Sequence, residues 1–349
     1  MRATASYTES TGLELTLELG NFCPLACLHC SQDAGPFRTN LLSIKKALEI
    51  VKEARSLGAD TVAISGGEPL CSPYLTPVCK LAKTLGLRVF IYTAGSIIEN
   101  HLLAPIDNML AQNFKRLQVG RIIVNLQAAT GELHDKITGR HGSYDNALKS
   151  IGKLTDAGLR VEIHFVPMKL NFQELPAIAN LANELGIAQV NVIRFVPQGR
   201  GLRNDSILQL HREDYEKFTQ VLMCTVAESK VPIRVSEAFA FLHLKSEYEC
   251  MAGRKKIVVS GDGAVCPCSA FKGFLAGHPA YNINERTLHE ILNTGIFSDL
   301  RNSTSLSGAN CGCPAQRLII DDKLERGPDS NCATHIVESV NESKPLRSA

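Results

Sequence analysis

Between residues 13 and 195 the chain repeats one cycle: a short run rich in β-branched side chains, then a stretch of helical periodicity. Alternating apolar and polar residues predict a strand at 13–20, and short buried, β-branched runs predict strands at 61–65, 88–93, 121–125, 160–166 and 189–195. Amphipathic spacing predicts helices at 43–57, 73–85, 101–112, 143–157 and 172–184. Gly58, Gly86, Gly158 and Gly186 stand where helices should stop. Such alternation specifies an α/β fold with a parallel sheet covered by helices. Periodicity does not separate an open doubly wound sheet from a full or partial barrel. In each of these, ligands gather at the C-terminal ends of the strands.

The residues at those ends carry the chemistry. Cys23, Cys27 and Cys30 follow the first strand, and Gly66, Gly67, Glu68 and Pro69 follow the second. Thr93 and Asn125 close the third and fourth, and Ile193 and Arg194 fall in the sixth. A charged residue in so apolar a run needs a partner or a polar cavity, because burying it alone is costly. Glycines at the end of a buried strand admit a backbone approach that any β-carbon would block.

Twelve cysteines fall mainly into two groups: Cys23, Cys27 and Cys30, then Cys250, Cys266, Cys268, Cys311, Cys313 and Cys332. Disulfide frameworks belong to short secreted domains that cannot build a core. This chain of 349 residues can build one, and its first residues lack the apolar segment of a secretory signal. Metal or cluster ligation therefore fits better. The 37 basic and 35 acidic residues are spread along the chain, giving +2 overall and no basic stripe for nucleic acid. No apolar run approaches the roughly 20 residues of a membrane span, and a cytoplasmic protein is expected.

Three thiolates are one fewer than the usual ligand set of a 4Fe–4S cluster. They leave one iron open, much as a catalytic zinc keeps a position for its substrate. Zinc held by the three cysteines and His29 is the alternative, made awkward because His29 adjoins Cys30. The run Cys-Pro-Leu-Ala-Cys-Leu-His-Cys, followed by Gly-Gly-Glu-Pro at the next strand end, resembles the radical S-adenosylmethionine (radical SAM) superfamily. The resemblance implies a partial (β/α)6 barrel. It also implies that S-adenosylmethionine (AdoMet) chelates the open iron and is cleaved reductively to a 5′-deoxyadenosyl radical. Gly66, Gly67, Glu68 and Pro69 would then meet the methionine amino group, with Glu68 ordering the loop or balancing charge. Thr93, Asn125, Arg194 and Ile193 would be further contacts. The run Thr93-Ala94-Gly95 departs from the family's Thr-Asn-Gly, which limits the carry-over to Thr93.

From about residue 200 the pattern changes. A helix at 212–228 and the segment 229–249 show no βα repeat, and residues 255–268 read as a β-hairpin with an Asp-Gly turn. A helix is expected at 286–300. Cys250, the hairpin, Cys268 and this helix resemble the family's C-terminal auxiliary-cluster domains, SPASM in the longer form and twitch in the shorter. Cys250 and Cys268 are the firmest candidate ligands of one auxiliary 4Fe–4S cluster, completed from Cys311, Cys313 and Cys332. The full form carries seven cysteines and two clusters, so a second cluster here needs other ligands; a zinc site at Cys250, Cys268, Cys311 and Cys313 is the alternative. Cys266 is held in reserve. Cys71, Cys79 and Cys224 are expected to be small buried hydrophobes, with Cys71 near enough to the Gly-Gly-Glu-Pro loop to face the cavity.

The expected organisation is a barrel over 1–215, a helical bridge over 216–249, a small α+β auxiliary-cluster domain over 250–335 and a polar tail over 336–349. The resemblance implies an electron donor such as flavodoxin or ferredoxin. The expected activity is oxidation or cross-linking of a peptide, with dehydrogenation or epimerisation of a small metabolite, carbohydrate or tetrapyrrole as the alternative. A non-catalytic metal-binding scaffold is the remote one. The first strand begins after about 12 residues, so any peptide recognition module is expected to be a separate protein.

Overall fold

The computed structural model describes residues 12–242 and 250–302. Strand β1 (Leu13–Glu18) leads through the cysteine loop to α1 (Ile44–Ser56), β2 (Ala59–Ser65), α2 (Leu75–Thr84) and β3 (Arg88–Thr93). The small hairpin β4 (Ile97–Glu99) and β5 (Leu102–Ala104) precedes α3 (Asn108–Arg116) and β6 (Arg121–Asn125). Then come α4 (Gly131–Thr138), α5 (Ser143–Asp156), β7 (Val161–Phe165), α6 (Leu175–Glu184) and β8 (Gln189–Val192). Two short helices, α7 (Gly199–Arg203) and α8 (Asp205–Leu208), lead to α9 (Arg212–Glu228) and β9 (Ile233–Val235). The C-terminal part holds β10 (Lys256–Val259), β11 (Val265–Cys266), α10 (Lys272–Leu275), α11 (Leu288–Leu292) and α12 (Gly295–Asn302).

One nine-stranded sheet runs β11-β10-β1-β2-β3-β6-β7-β8-β9. All its pairs are parallel except β10–β11. The six expected strands form its centre as a curved partial barrel. Leu15 and Leu17 of β1 enter the main core, where α1 buries Ala47, Ile50, Val51 and Ala54. Thr16 and Glu18 lie on the opposite, inner face and are also buried, as the two-residue period of a strand requires.

Several boundaries differ from expectation. The helix expected from 101 starts at Asn108, capped by the Asp107 carboxylate accepting from the Leu110 N–H at 2.7 Å. The residues before it form the β4–β5 hairpin, turned at Asn100 and His101 with φ of 49° and 66°. Helix α4 was not anticipated. The sixth strand ends at Val192, so Ile193 and Arg194 lie just beyond it. The segment after α9 does supply another parallel strand, β9, paired to β8. The expected helix over 286–300 is two helices. The break is at Gly295, which adopts φ of 50° and whose missing β-carbon would stand 2.0 Å from the Tyr281 hydroxyl oxygen.

The hairpin with the Asp-Gly turn is present: Gly263 has φ of 90°, and the Ser260 N–H donates to the Ala264 carbonyl at 2.9 Å. Its strand β10 pairs with β1, Glu14 opposite Lys256, so the C-terminal part continues the barrel's own sheet.

Candidate active site

Beyond β1 the backbone runs alongside the loop that follows β2. The Gly67 N–H donates to the Gly20 carbonyl at 2.6 Å and the Glu68 N–H to the Phe22 carbonyl at 2.7 Å. Gly66 adopts φ of 130°, and a β-carbon on Gly67 would stand 1.9 Å from the Phe22 carbonyl oxygen. The close approach that demands these glycines is therefore to the cysteine loop's own backbone. Glu68 is buried and orders the loop in turn. Its carboxylate accepts from the Leu70 N–H at 3.0 Å, the Thr93 hydroxyl at 2.6 Å and the Ala94 N–H at 2.7 Å. Burial pushes its pKa up to about 7 against the pull of these three donors.

The cysteine loop is braced on two more sides. The Ala26 and Leu28 N–H groups donate to the Thr138 and Ile137 carbonyls of α4 at 2.9 and 2.8 Å. Arg200 of α7 donates from Nε to the Cys27 carbonyl and from a terminal nitrogen to the Ala34 carbonyl, each at 2.7 Å. Cys23 is buried, and Cys27 and Cys30 are half-buried; all three pack with Leu25, Ala34 and Ala94 and carry free thiols. Burial, reinforced by Cys27, pushes the Cys23 thiol far up, and burial with Cys30 pushes Cys27 up to about 12. Thiolates here need a cationic partner. Among the described residues no three His, Cys, Asp or Glu side chains converge tightly enough for a single metal ion. Three thiolates on one loop can each take a different iron of a cuboidal cluster.

The other expected contacts are distributed around this loop. Thr93 meets Glu68, and its hydroxyl also accepts from the Gly95 N–H at 2.9 Å. Asn125, half-buried at the end of β6, accepts from the Gln127 side-chain amide. Gln127 is itself buried beside the His164 and Val166 backbone, Asn171 and His134. Ile193 is half-buried, its N–H donating to the Phe165 carbonyl at 2.9 Å. Arg194 is buried, with its guanidinium 5.9 Å from the Tyr215 ring centroid and donating to the Ala238 carbonyl at 3.4 Å.

Sequence reasoning missed three features. Arg200 braces the cysteine loop, and its signal was the Arg-Gly-Leu-Arg run after strand six. The inner face of the barrel holds Tyr92 edge-on to His164 at 5.8 Å, and Lys256 beside Glu14 at 3.4 Å. Glu14 is the main influence holding the Lys256 ammonium above its usual range. Third, the buried Glu18 carboxylate is paired with Lys272 of α10, tying the C-terminal part to the strand that leads into the cysteine loop.

Cys250 and Cys268 are half-buried and flank the β10–β11 hairpin. Cys266 lies on β11 opposite Val258, fully buried, with its thiol pushed up to about 12 by burial. Cys311, Cys313 and Cys332 lie outside the described residues. Cys79 is buried in α2, and Cys71 is half-buried beside Glu68 and Pro69 in a cleft of about 130 Å³. Cys224 corrects the expectation of burial: it is exposed, on the solvent face of α9.

Residues 17–182 match the model of the radical SAM superfamily, and residues 250–314 match that of the SPASM iron–sulfur cluster-binding domain. The protein is a radical SAM enzyme. Within that superfamily it belongs with those that carry a C-terminal SPASM-type auxiliary domain. Its chemistry is AdoMet-dependent radical generation, and each of the two domain types binds a 4Fe–4S cluster. It is 28% identical to the AdoMet-dependent heme synthase of Methanosarcina barkeri, over 84% of this chain and 86% of that one. It is 28% identical to the mycofactocin maturase MftC of Mycobacterium tuberculosis, over 91% and 82%. It is 26% identical to the PqqA peptide cyclase of Gluconobacter oxydans, over 86% and 82%. The fold matches that of Streptococcus suis SuiB bound to its precursor peptide SuiA, with a TM-score of 0.71 at 19% identity over 92% and 76% of the two chains. Among the described residues no helix is long and apolar enough to cross a membrane.

Proposed function

We propose that this enzyme oxidises or cross-links a peptide, using Cys23, Cys27 and Cys30 to hold the AdoMet-binding 4Fe–4S cluster and one auxiliary 4Fe–4S cluster to receive the second electron. The observation that carries the oxidative half is the pairing of β10 with β1. It puts the hairpin flanked by Cys250 and Cys268 on the sheet that also carries the cysteine loop. When bound, the first cluster and AdoMet supply a primary carbon radical that takes a hydrogen atom from the substrate. The chain's own residues hold that site in register and shield it, as is general for cofactor enzymes. Glu68, Arg200 and α4 fix the cysteine loop, and the glycine loop lies against it. Thr93, Asn125 and Ile193 would be the contacts to AdoMet at the strand ends. Arg194, committed to Tyr215 and the Ala238 carbonyl, supports the wall behind them.

The peptide reading draws on the cyclase among the relatives and on the filling of the barrel below its rim. Arg121 stacks over Phe90 at 4.6 Å, and Tyr92 packs against His164, leaving the strand ends as the place for a substrate. A long chain laid across a rim can present one side chain to such a site. Tetrapyrrole chemistry is the second reading, favoured by the similarity to heme synthase over most of both chains.

Anaerobic reconstitution tests the cluster assignment: about eight irons per chain are expected from two four-iron sites. A content near four, unchanged by Cys250→Ala with Cys268→Ala, overturns the auxiliary site. Replacing Cys23, Cys27 and Cys30 together by alanine should abolish 5′-deoxyadenosine formation with dithionite. Cys268→Ala should keep some AdoMet cleavage but lose substrate oxidation. Cleavage surviving in the triple variant refutes the first assignment.

A further inference from the structure

Gln198 stands at the start of α7 with an extended backbone, where a polar side chain ordinarily caps its own helix. It caps nothing there. This buried amide instead reaches the segment that leads into α10. Its Nε2 donates to the Ala270 carbonyl, and its Oε1 accepts from the Gly273 N–H at 3.3 Å. Both ends of the amide are thereby used, as burial requires. The cysteine loop takes the place of the missing cap. The Arg200 and Gly201 N–H groups, which any helix start leaves without intrahelical partners, both donate to the Cys30 carbonyl, at 3.0 and 3.3 Å. Gly199, with φ of 56°, permits the approach, since a β-carbon there would stand 2.9 Å from the Cys30 carbonyl oxygen. The Arg200 side chain adds its bonds to the Cys27 and Ala34 carbonyls, and Asn204 donates to the Leu28 carbonyl at 3.1 Å. The Asp33 carboxylate, on the same loop, gathers Arg200, Arg203 and Arg38. Helix α7 thus grips the cysteine loop on one side and, through Gln198, the segment just past Cys268 on the other.

We propose that Gln198 is a positioning residue for AdoMet binding, joining the segment after Cys268 to the loop of Cys23, Cys27 and Cys30. The proposal rests on the reading of those three cysteines, and of Cys268, as cluster ligands. Cys268 lies two residues before Ala270, and Gln198 two before Arg200, so each half of the link is about a single turn of chain. Lys272 of α10 meets the buried Glu18 carboxylate on the strand that leads into the loop, so the segment is fastened on both flanks of the loop. With its ligand set filled, Cys268 is fixed, and Ala270, Gln198 and Arg200 are fixed in turn against the Cys27 and Cys30 carbonyls. With that set empty, the segment is free to shift and α7 with it, and the cysteine loop loses the brace that shapes it. The two sites are therefore coupled, and by linkage occupation of either favours occupation of the other.

The AdoMet affinity of the reconstituted enzyme, measured by equilibrium dialysis, tests the link through a double-mutant cycle. Gln198→Met keeps the length of the side chain and removes both of its hydrogen bonds, leaving every cysteine in place. It should raise the AdoMet Kd by about fivefold or more, the lower end of ordinary coupling between sites. Cys268→Ala should raise it by a similar factor, and the double variant no further than either alone. Hydrogen exchange gives a second readout: the Arg200 and Gly201 amides should exchange several-fold faster in Gln198→Met, while those of α5 keep parent rates. A Kd unchanged in Gln198→Met, even in a protein of lowered overall stability, overturns the proposal. Effects that simply multiply in the double variant overturn it as well. Should Gln198→Met fail to fold or lose iron, Cys268→Ala decides alone: exchange at Arg200 and Gly201 must quicken, and parent rates there overturn the link. A parent that takes up no iron, or binds no AdoMet once loaded, sinks the cluster assignment instead.

Discussion

Gly67→Ala is the sharpest test of how the two loops of the site are joined. The new β-carbon would stand 1.9 Å from the Phe22 carbonyl oxygen, 2.5 Å from its carbon and 2.8 Å from the Asn21 carbonyl carbon. All three are backbone atoms, so no side chain can swing aside. Restoring an ordinary contact of 3.4 Å requires the loops to part by about 1.5 Å. That separation would stretch the hydrogen bonds from Gly67 to Gly20 and from Glu68 to Phe22, now 2.6 and 2.7 Å, past any useful length. Overpacking of about 1–3 kcal/mol and two lost hydrogen bonds of about 1 kcal/mol each give a destabilisation of roughly 3–5 kcal/mol. Gly152→Ala is the control, since that glycine lies within α5 with nothing within 4 Å of the added carbon. It should stabilise by about 0.5–1 kcal/mol through helix propensity. Urea unfolding of the apoprotein measures both, and iron content after reconstitution reports the loop directly. A Gly67→Ala protein as stable as the parent, with full iron occupancy, would refute the claim that the glycine loop is fitted to the cysteine loop.

Three further outcomes are expected. Lys272→Met strands the buried Glu18 carboxylate and should cost about 3–5 kcal/mol, most of it recovered in the Glu18→Leu, Lys272→Met double variant, as a double-mutant cycle in urea will show. Gly199→Ala, at φ of 56° and 2.7 Å from the Ser31 carbonyl oxygen, should lower iron retention at the first site, read as irons per chain after desalting. His134 is buried, and burial depresses its pKa from 6.5 to about 4. Between those values the unfolded chain binds a proton that the folded one refuses, so stability falls as pH drops through that window, by on the order of 3 kcal/mol in all. His134→Gln should flatten this slope in urea midpoints measured from pH 7 to pH 5; an unchanged slope would count against the assignment.

The central strands were legible because β1 alternates leucine with polar residues and most of the others are β-branched runs set off by a glycine. Neighbouring residues on opposite faces are buried together, Ala63 with Ile64 in β2 and Phe90 with Ile91 in β3. Shorter elements were not. Ile97–Glu99 and Leu102–Ala104 carry too few residues to establish a period of two, and β9 is only three residues long. Local pattern also says nothing about distant pairing, so the joining of β10 to β1 could not be read. At the site, Glu68 and Thr93 were each identified as polar residues at a strand end. Their mutual hydrogen bond depends on β2 and β3 being neighbours in register, which is a tertiary fact. The arginines on Asp33 were hidden for the same reason, lying more than 160 residues from it in two cases.

The place of β1 between β2 and the late-made β10 has a consequence for how the chain is made. Glu14 must wait for Lys256, 242 residues later, before its outer edge is paired. At synthesis rates of roughly 5–20 residues per second that interval is about 12–48 s. Throughout it β1 offers a bare row of backbone donors and acceptors, a template for unwanted strand addition. The cysteine loop meanwhile hangs from a sheet that cannot close. Completion of the sheet thus comes late on the ribosome, and a chain stalled before residue 256 would display an open edge on the strand that leads into the cysteine loop.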